Sequence, residues 1–194
     1  MLISGSDQIW NPNWYHRFYY ADYEGVTTRR ISYAPSMGVT KILDEVEPEI
    51  KRSVSKFDAI SVREENAVSL LEPYSKYKPV VAVDPTLLLD SNDWASILPP
   101  TGAAPKSDYV LGFFIEGNFD HLHATKKFAK QKKMKYVFVP YSGLSYYQIG
   151  DRCADAGLED LLELIRNARY VITDSFHITV FSIIHRKQFY SFMR

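Results

Sequence analysis

Four polar side chains interrupt an apolar stretch near the end of the chain, VITDSFHITVFSII (171–184). They are Thr173, Asp174, Ser175 and His177. A histidine beside a carboxylate and hydroxyls can act as a general acid or base, because imidazole exchanges its proton near neutral pH. The same residue types also cap helices, and a histidine can pack in a core. Residue types alone therefore leave a proton-transfer site and a capped helix as alternatives, and helix capping is the more common of the two.

The predicted elements around this segment place His177 in the first turn of a helix. YVIT (170–173) predicts a buried strand, and the apolar residues further on predict a buried helix that begins near Ser175. The helix dipole lowers the proton affinity of an imidazole there, whereas Asp174 or a bound anion raises it. Ligands of open parallel sheets collect where strands end and helices begin, which is the position predicted for His177.

Arg63 follows another predicted strand, in FDAISVREENA (57–67). Its planar guanidinium can bind a phosphate or a carboxylate through two hydrogen bonds, which suits an anion anchor. The alternative is a surface arginine that pairs with Glu64, Glu65 or a residue one helical turn further on. The sequence by itself favours that alternative.

The N-terminal segment LISGSDQIWN (2–11) predicts a strand that runs into a tight turn at Gly5. Three polar residues follow, and after them an apolar pair that can form either a lid or a plug of the core. In order, these are Ser6, Asp7 and Gln8, then Ile9 and Trp10. Polar groups beside aromatic rings suit a sugar-binding site, but an Asx-turn before a helix has the same composition.

The composition excludes several classes of protein. The 194 residues are 46% hydrophobic and 24% charged, as in soluble globular proteins. Lysine plus arginine equal aspartate plus glutamate at 23 each, so no net charge attracts nucleic acid or an anionic membrane. No apolar run approaches the length of a transmembrane helix, about 20 residues.

The single cysteine, Cys153, cannot form an internal disulfide, and it indicates a reducing compartment such as the cytoplasm. His121 and His123 stand two apart on a predicted helix, so their side chains point in different directions and suit a shared metal ion poorly. We therefore expect a cytoplasmic protein without a metal site.

Short apolar runs alternate with helical patterns along the chain. The predicted strands are 29–36, 58–62, 80–84, 109–115, 135–141 and 170–173, and the predicted helices are 61–72, 119–135 and 158–170. This alternation predicts an α/β fold with parallel βαβ units. The latter part of the proline-rich stretch 90–108 is interpreted as a linker, which divides the chain into halves at 1–100 and 101–194.

Five segments match one known family in the same order. They are GSDQIWN (5–11), ISYAPSMG (31–38), FDAISVREENAV (57–68), VDPTLLLDSNDW (83–94) and DAGLEDLLELIRNARYVITDSFHITVFSII (155–184). In these segments the chain is similar to the polysaccharide pyruvyl transferase family. The resemblance spans almost the whole chain, and GSDQIW and TDSFH are its most specific parts.

The resemblance implies transfer of a pyruvyl group from phosphoenolpyruvate to two hydroxyls of a saccharide in a surface polysaccharide precursor. A ketal forms, phosphate is released and no cofactor is used. The resemblance also implies two Rossmann-like halves that face a cleft, as in GT-B glycosyltransferases, with both halves incomplete here.

Residue roles follow from the same resemblance. His177 would protonate the methylene of phosphoenolpyruvate or handle the leaving phosphate, and Arg63 would hold the phosphate or the carboxylate. The substrate-binding residues would be Ser6, Asp7, Gln8, Asp174 and Ser175.

The chain departs from the family pattern near the histidine. Some members have arginine and leucine where this chain has Ser175 and Phe176. Members with GSDQIW usually have glycine where this chain has Ile178, and a β-branched side chain there is expected to narrow the approach of a phosphate to the backbone. The family's segment that precedes GSDQIW is absent from this chain.

Two other functions stay open at this point. One is a nucleotide-sugar glycosyltransferase of GT-B architecture, in which Arg63 and the helix that opens at Leu158 bind a diphosphate. The other is a truncated family member that keeps the fold without the activity. Binding of a nucleotide sugar without binding of phosphoenolpyruvate would indicate the first.

Overall fold

The computed structural model describes residues 1–116, 119–141, 151–152 and 156–193. The chain forms two compact units, Met1–Leu88 and Leu89–Arg194. Each unit combines helices with parallel strands, so the predicted α/β class is confirmed. Within the described ranges, no helix has the length and the apolar composition that crossing a bilayer requires.

The first unit contains two parallel strand pairs. Its strands are β1 (Leu2–Ser4), β2 (Arg30–Ser32), β3 (Ser61–Val62) and β4 (Val80–Val81), and its α-helices are α1 (Glu47–Val54) and α2 (Glu65–Leu71). Short 3-10 helices span Pro12–Trp14, Arg17–Tyr20, Glu72–Tyr74 and Pro85–Leu88. β1 pairs with β2 and β3 pairs with β4. A bridge between Ile31 and Ala59 joins the two pairs, so all four strands end at one edge.

Trp10 is the central side chain of the first unit's core. It is fully buried, stacks on Tyr20 at 4.8 Å between ring centroids and meets Phe57 edge-on at 5.1 Å. Its indole N–H donates to Ser4 Oγ at 3.1 Å and to the Tyr19 carbonyl at 3.0 Å. A buried indole needs such an acceptor. Of the two interpretations of Trp10, lid or core plug, the structure confirms the core plug.

The second unit is built on a five-stranded parallel sheet. Its strands are β5 (Tyr109–Phe114), β6 (Lys135–Pro140), β7 (Asp151–Arg152), β8 (Tyr170–Thr173) and β9 (Gln188–Ser191), and its helices are α3 (Ser91–Ile97), α4 (Phe119–Lys132), α5 (Leu158–Asn167) and α6 (Phe176–Ile184). The strand order is β7-β6-β5-β8-β9. The first strand in sequence therefore lies in the centre, which is the order of a doubly wound sheet.

Both faces of the central strands β5 and β8 are buried, which explains their continuous apolar runs. On β5, Tyr109, Leu111 and Phe113 face the core cluster that includes α5 and α6. Val110 and Phe114 face the cluster that includes α4. The chain thus leaves β5 towards one face and leaves β8 towards the other, and the carboxyl ends of β5 and β8 are where a doubly wound sheet is expected to have its ligand crevice.

The six predicted strands are confirmed, although those of the first unit are two or three residues long. The predicted helices 61–72, 119–135 and 158–170 are confirmed as α2, α4 and α5, and the helix predicted to begin near Ser175 is confirmed as α6. The strand at the N-terminus is confirmed as β1. α1, α3, β7 and β9 were not predicted. Each has few apolar residues in regular spacing, and β9 gains its place by pairing with β8 rather than from its own sequence.

The stretch interpreted as containing a linker packs as part of the second unit. Asp90 caps α3 by accepting hydrogen bonds from the N–H groups of Asn92 and Asp93, and Trp94 meets Phe181 of α6 edge-on at 5.1 Å. Beyond α3, the buried carboxylate of Glu163 holds the chain. This segment is therefore fixed by contacts, in contrast to a free linker.

Glu163 gives a prediction for stability. Its carboxylate accepts hydrogen bonds from the N–H and hydroxyl of Thr101 and from the N–H of Gly102. Burial by itself raises the pKa of Glu163, but these hydrogen bonds outweigh burial and hold the pKa below its ordinary value. We expect Glu163→Gln to lower the free energy of unfolding by about 1.5 kcal/mol at neutral pH, because charge-assisted hydrogen bonds are the stronger ones.

Urea unfolding of both proteins across the acid range checks this expectation. A carboxyl with a lowered folded-state pKa adds stability above its unfolded pKa and loses that contribution as the pH falls through the folded value. The difference between wild type and Glu163→Gln should therefore shrink below about pH 4. Glu159→Gln, an exposed change on the same helix, is the control and should alter stability little. A pH-independent difference would contradict this role of the charge.

Candidate active site

Arg63 lies at the carboxyl edge of the first unit, directly after β3. Its Nη1 is 3.2 Å from Asp84 Oδ2 and 3.9 Å from Asp7 Oδ1. The side chain of Arg63 is 12% exposed and that of Asp84 is fully buried, whereas the Asp7 side chain is 65% exposed. The structure therefore brings Arg63 and Asp7, both predicted as site residues, to one cluster that joins the ends of β1, β3 and β4.

Asp84 is a member of this cluster that sequence reasoning did not single out. Its Oδ1 accepts hydrogen bonds from the N–H of Thr86 at 3.1 Å and from the Thr86 hydroxyl at 2.7 Å, which fix the carboxylate beside Arg63. The available signal was its place at the end of the predicted strand VVAVD (80–84). The acidic partner of Arg63 is thus far along the sequence, in contrast to the neighbouring glutamates that were considered.

Glu64, one of those neighbours, fixes the loop after β2. Its Oε1 accepts hydrogen bonds from the N–H of Met37 at 2.7 Å, the N–H of Gly38 at 3.2 Å and the hydroxyl of Ser36 at 3.1 Å. The N–H of Ser36 in turn donates to the Asp7 carbonyl at 2.7 Å. The loops after β1, β2 and β3 are therefore tied to each other beside Arg63.

Gly5 allows the loop after β1 to pass close to the neighbouring chain. Its φ is +151°, and a Cβ atom at this position would lie 1.9 Å from the carbonyl oxygen of Tyr33. No side chain fits at that distance, and backbone cannot move aside cheaply. The glycine that the sequence placed in a turn is thus required by packing as well as by conformation.

We expect Gly5→Ala to lower the free energy of unfolding by about 3 kcal/mol, because the methyl group collides with the backbone of Tyr33. Gly25→Ala is the matched control. Gly25 also has a positive φ, +74°, but an added Cβ would meet nothing within 4 Å, so only conformational strain of about 1 kcal/mol remains. Equal losses in thermal or urea unfolding would contradict the packing argument.

Asp7 and Gln8 line a cavity of about 160 Å³ on the first unit, together with Ile9, Trp14 and Tyr19. Trp14 and Tyr19 were missed in the sequence, although they lie in the aromatic-rich segment that follows GSDQIW. Ser6, which is half-buried in the same loop, is not one of the described residues that line the cavity.

In the second unit, Asp174 lies at the crevice between β5 and β8. Its carboxylate is buried, with 4% of the residue exposed. Oδ1 accepts a hydrogen bond from the N–H of Ile115 at 2.8 Å, and Oδ2 accepts one from the N–H of Glu116 at 3.3 Å. Asp174 thus ties the segment after β5 to the end of β8.

Ser175 is the N-cap of α6, as the sequence predicts. Its Oγ accepts a hydrogen bond from the N–H of Ile178 at 3.4 Å, and its own N–H donates to Thr173 Oγ1 at 3.0 Å. α6 begins at Phe176, so His177 lies in the first turn. His177 is half-buried, and its ring meets Phe176 edge-on at 5.2 Å. A capped helix and a histidine at the crevice therefore occur together.

The expectation that Ile178 narrows the approach to the backbone is wrong. The residue is only 3% exposed, and its side chain packs in the core cluster between the sheet and the helices α5 and α6. A side chain directed into the core does not cover the N-terminus of the helix. Its N–H is engaged by Ser175, so an anion near α6 would have to use other donors.

Metal-binding side chains do not cluster in the described ranges: no group of three or more histidines, cysteines, aspartates or glutamates there could hold an ion. His121 instead stacks on Phe192, with the ring centroids 4.0 Å apart. Cys153 lies outside the described residues.

Each unit thus carries a polar cluster where parallel strands end: Arg63 with Asp7 and Asp84 in the first, and Asp174 with Ser175 and His177 in the second. The family model of polysaccharide pyruvyl transferase matches residues 1–194, which include both clusters. No curated protein matches the chain significantly. The match covers the full sequence, and membership implies a saccharide acceptor. The chain belongs to the polysaccharide pyruvyl transferase family, a family of transferase enzymes.

Proposed function

We propose that this protein transfers a pyruvyl group from phosphoenolpyruvate to two hydroxyls of a saccharide in a surface polysaccharide precursor, which forms a ketal and releases phosphate. The observation that supports the proposal most is the position of His177. It lies in the first turn of α6, beside the crevice where a doubly wound sheet binds ligands.

The proposed reaction begins with protonation of the C3 methylene of phosphoenolpyruvate, which leaves positive charge on C2. A saccharide hydroxyl attacks C2 and loses its proton. Phosphate then departs with the electron pair of the C2–O bond, and the second hydroxyl attacks C2 and loses its proton. C3 takes up one proton and the hydroxyls release two, so the proton left over goes to phosphate or solvent.

His177 is the proposed acid for the first step. A proton donor must reach the methylene carbon and be reprotonated from solvent, and a half-buried imidazole can do both. Asp174 holds the end of β8, and Ser175 holds the first turn of α6 that contains His177. Asp174 and Ser175 would therefore contribute mainly by fixing the position of His177.

Arg63 is the proposed partner of the phosphate or carboxylate of the donor. Asp84 holds its guanidinium at the end of β3, so an anion that binds there meets a positioned charge. Asp7, whose Oδ1 lies 3.9 Å from the same Nη1, is the largely exposed neighbour of this guanidinium.

The family resemblance also implies two Rossmann-like halves on either side of a cleft, as in GT-B glycosyltransferases. We include that arrangement in the proposal, with His177 and Arg63 serving one reaction. The proposal also includes a cytoplasmic location, where phosphoenolpyruvate is available, and no cofactor.

A phosphate-release assay with titration calorimetry tests this function. We expect the protein to bind phosphoenolpyruvate and to release phosphate from it only when a saccharide is present. Binding of a nucleotide sugar without binding of phosphoenolpyruvate would assign a glycosyltransferase instead. Binding of neither donor would indicate a family member without activity.

A further inference from the structure

The cavity of about 160 Å³ beside the GSDQIW loop contains the features of a sugar subsite. We call it the Trp14–Tyr19 pocket; its lining residues are Asp7, Gln8, Ile9, Trp14 and Tyr19. We propose that this pocket binds one pyranose ring of the acceptor saccharide. That this sugar is the acceptor rests on the proposed function, whereas sugar binding itself can be tested without turnover.

The two aromatic rings of the pocket are exposed although the first unit has a core in which to bury them. Trp14 is 54% exposed and Tyr19 is 46% exposed, whereas Trp10 and Tyr20 of the same segment are fully buried. Large exposed aromatics in one place mark a binding surface on a soluble protein. The apolar C–H face of a pyranose is a suitable partner for such rings.

Hydrogen bonds hold the indole ring of Trp14 and the main chain of Tyr19 in place. The indole N–H of Trp14 donates to the Gln8 carbonyl at 3.2 Å, and the N–H of Tyr19 donates to the His16 carbonyl at 3.0 Å. The Tyr19 carbonyl accepts from the indole of Trp10 at 3.0 Å. A ring and a main chain that the protein's own hydrogen bonds already hold lose little conformational freedom when a sugar binds.

Polar groups complete the pocket on the side of Arg63. Asp7 has a 65% exposed side chain and lies 3.9 Å from Arg63 Nη1, and Gln8 stands next to it. A carboxylate and an amide can accept hydrogen bonds from, or donate them to, the hydroxyl rim of a sugar. The hydroxyls of a ring seated on Trp14 would thus face the arginine that is proposed to hold the donor.

Charge and size exclude other classes of ligand. Among the described lining residues Asp7 alone is charged, so this lining offers no cation to pair with a phosphate or a carboxylate. A wholly apolar ligand would leave Asp7 and Gln8 without partners. The volume is below the range of about 300–1,000 Å³ that is usual for larger ligands, which fits a single ring.

Titration of the full chain with the methyl glycosides of glucose, galactose and mannose tests the proposal by NMR. The chain has three tryptophans, Trp10, Trp14 and Trp94. We expect at least one glycoside to shift the indole N–H signal of Trp14 in a saturable way, with a dissociation constant in the millimolar range, while the other two signals stay in place. Trp14→Phe assigns the signal.

Variants separate the pocket from its surroundings. Trp14→Ala and Tyr19→Ala should each weaken binding of that glycoside about tenfold. Phe18→Ala is the matched control, because Phe18 is 47% exposed in the same short helix as Tyr19 and is not one of the described residues that line the pocket. This variant should bind the glycoside as tightly as the wild type. In the phosphate-release assay, Trp14→Ala and Tyr19→Ala should raise KM for the acceptor and leave KM for phosphoenolpyruvate unaltered.

The outcomes distinguish the two proposals. Sugar binding that depends on Trp14, without phosphate release, would support the proposed sugar subsite and overturn the proposed function. Turnover with an unchanged acceptor KM in both pocket variants would overturn the pocket. Absence of any shift at Trp14 with all three glycosides, or a shift caused by phosphoenolpyruvate instead, would also overturn it.

Discussion

Replacing His177 with alanine is expected to reduce phosphate release from phosphoenolpyruvate by about 10³-fold, because a positioned general acid contributes about 10²–10⁴-fold. The loss should appear in kcat, with KM for phosphoenolpyruvate changed little, since the proton is needed in the transition state and not for binding. Initial rates of phosphate release at saturating acceptor measure this effect.

Two controls decide whether the loss reflects proton transfer. Ile183→Ala changes a 54% exposed residue at the far end of α6 and should leave the rate unaltered. Added imidazole should restore part of the activity of His177→Ala, because it can enter the space and supply the proton. Turnover of His177→Ala at the wild-type rate would remove His177 from the mechanism, and a loss of folded protein would indicate a structural role.

Replacing Arg63 with lysine is expected to lower kcat/KM for phosphoenolpyruvate about 10²-fold. Lysine keeps the charge but cannot offer the two parallel N–H groups that hold a phosphate or carboxylate. The pairing with Asp84 survives as a simple ion pair, so the free energy of unfolding should change little. Kinetics with phosphoenolpyruvate as the varied substrate, together with urea unfolding, provide both readouts.

Arg63→Ala should be more severe, because it leaves the fully buried carboxylate of Asp84 without its cation. Loss of one partner of a buried pair costs about 3–5 kcal/mol of stability. The double variant Arg63→Met with Asp84→Asn removes both charges and keeps an acceptor for Thr86. It should recover most of the stability without recovering turnover. Recovery of turnover as well would show that Arg63 serves only the ion pair.

The parts of the fold that depend on local pattern could be predicted from the sequence. YVIT (170–173) is a strand with the predicted bounds, and Ser175 caps the helix that contains His177. Both could be predicted because a buried strand and a capped helix each have a recognisable local sequence pattern. Residue types at a strand end therefore located both polar clusters.

Partners that depend on strand order could not be predicted in this way. Asp84 reaches Arg63 because β3 and β4 are neighbours, and Asp174 reaches Ile115 because β8 lies beside β5. No local pattern encodes which strands pair. The nearby glutamates were therefore considered for Arg63, while the buried aspartate across the sheet went unnoticed.

The exposure of individual aromatic side chains could not be predicted either. Trp10 and Trp14 are four residues apart in one segment, yet the first is fully buried and the second is 54% exposed. Residue type is the same for both, and the short 3-10 helix that contains Trp14 has no long period from which a buried face could be inferred. Only the packing around Tyr20 and Phe57 decides which ring enters the core.

The most direct test of the central claim is to follow the transferred group in D₂O by NMR. Protonation at C3 from solvent through His177 predicts a saccharide ketal whose methyl group carries one deuterium, with one free phosphate formed for each ketal. A product that keeps the vinyl group, a phosphate attached to the saccharide, or no product with any saccharide acceptor would contradict the account.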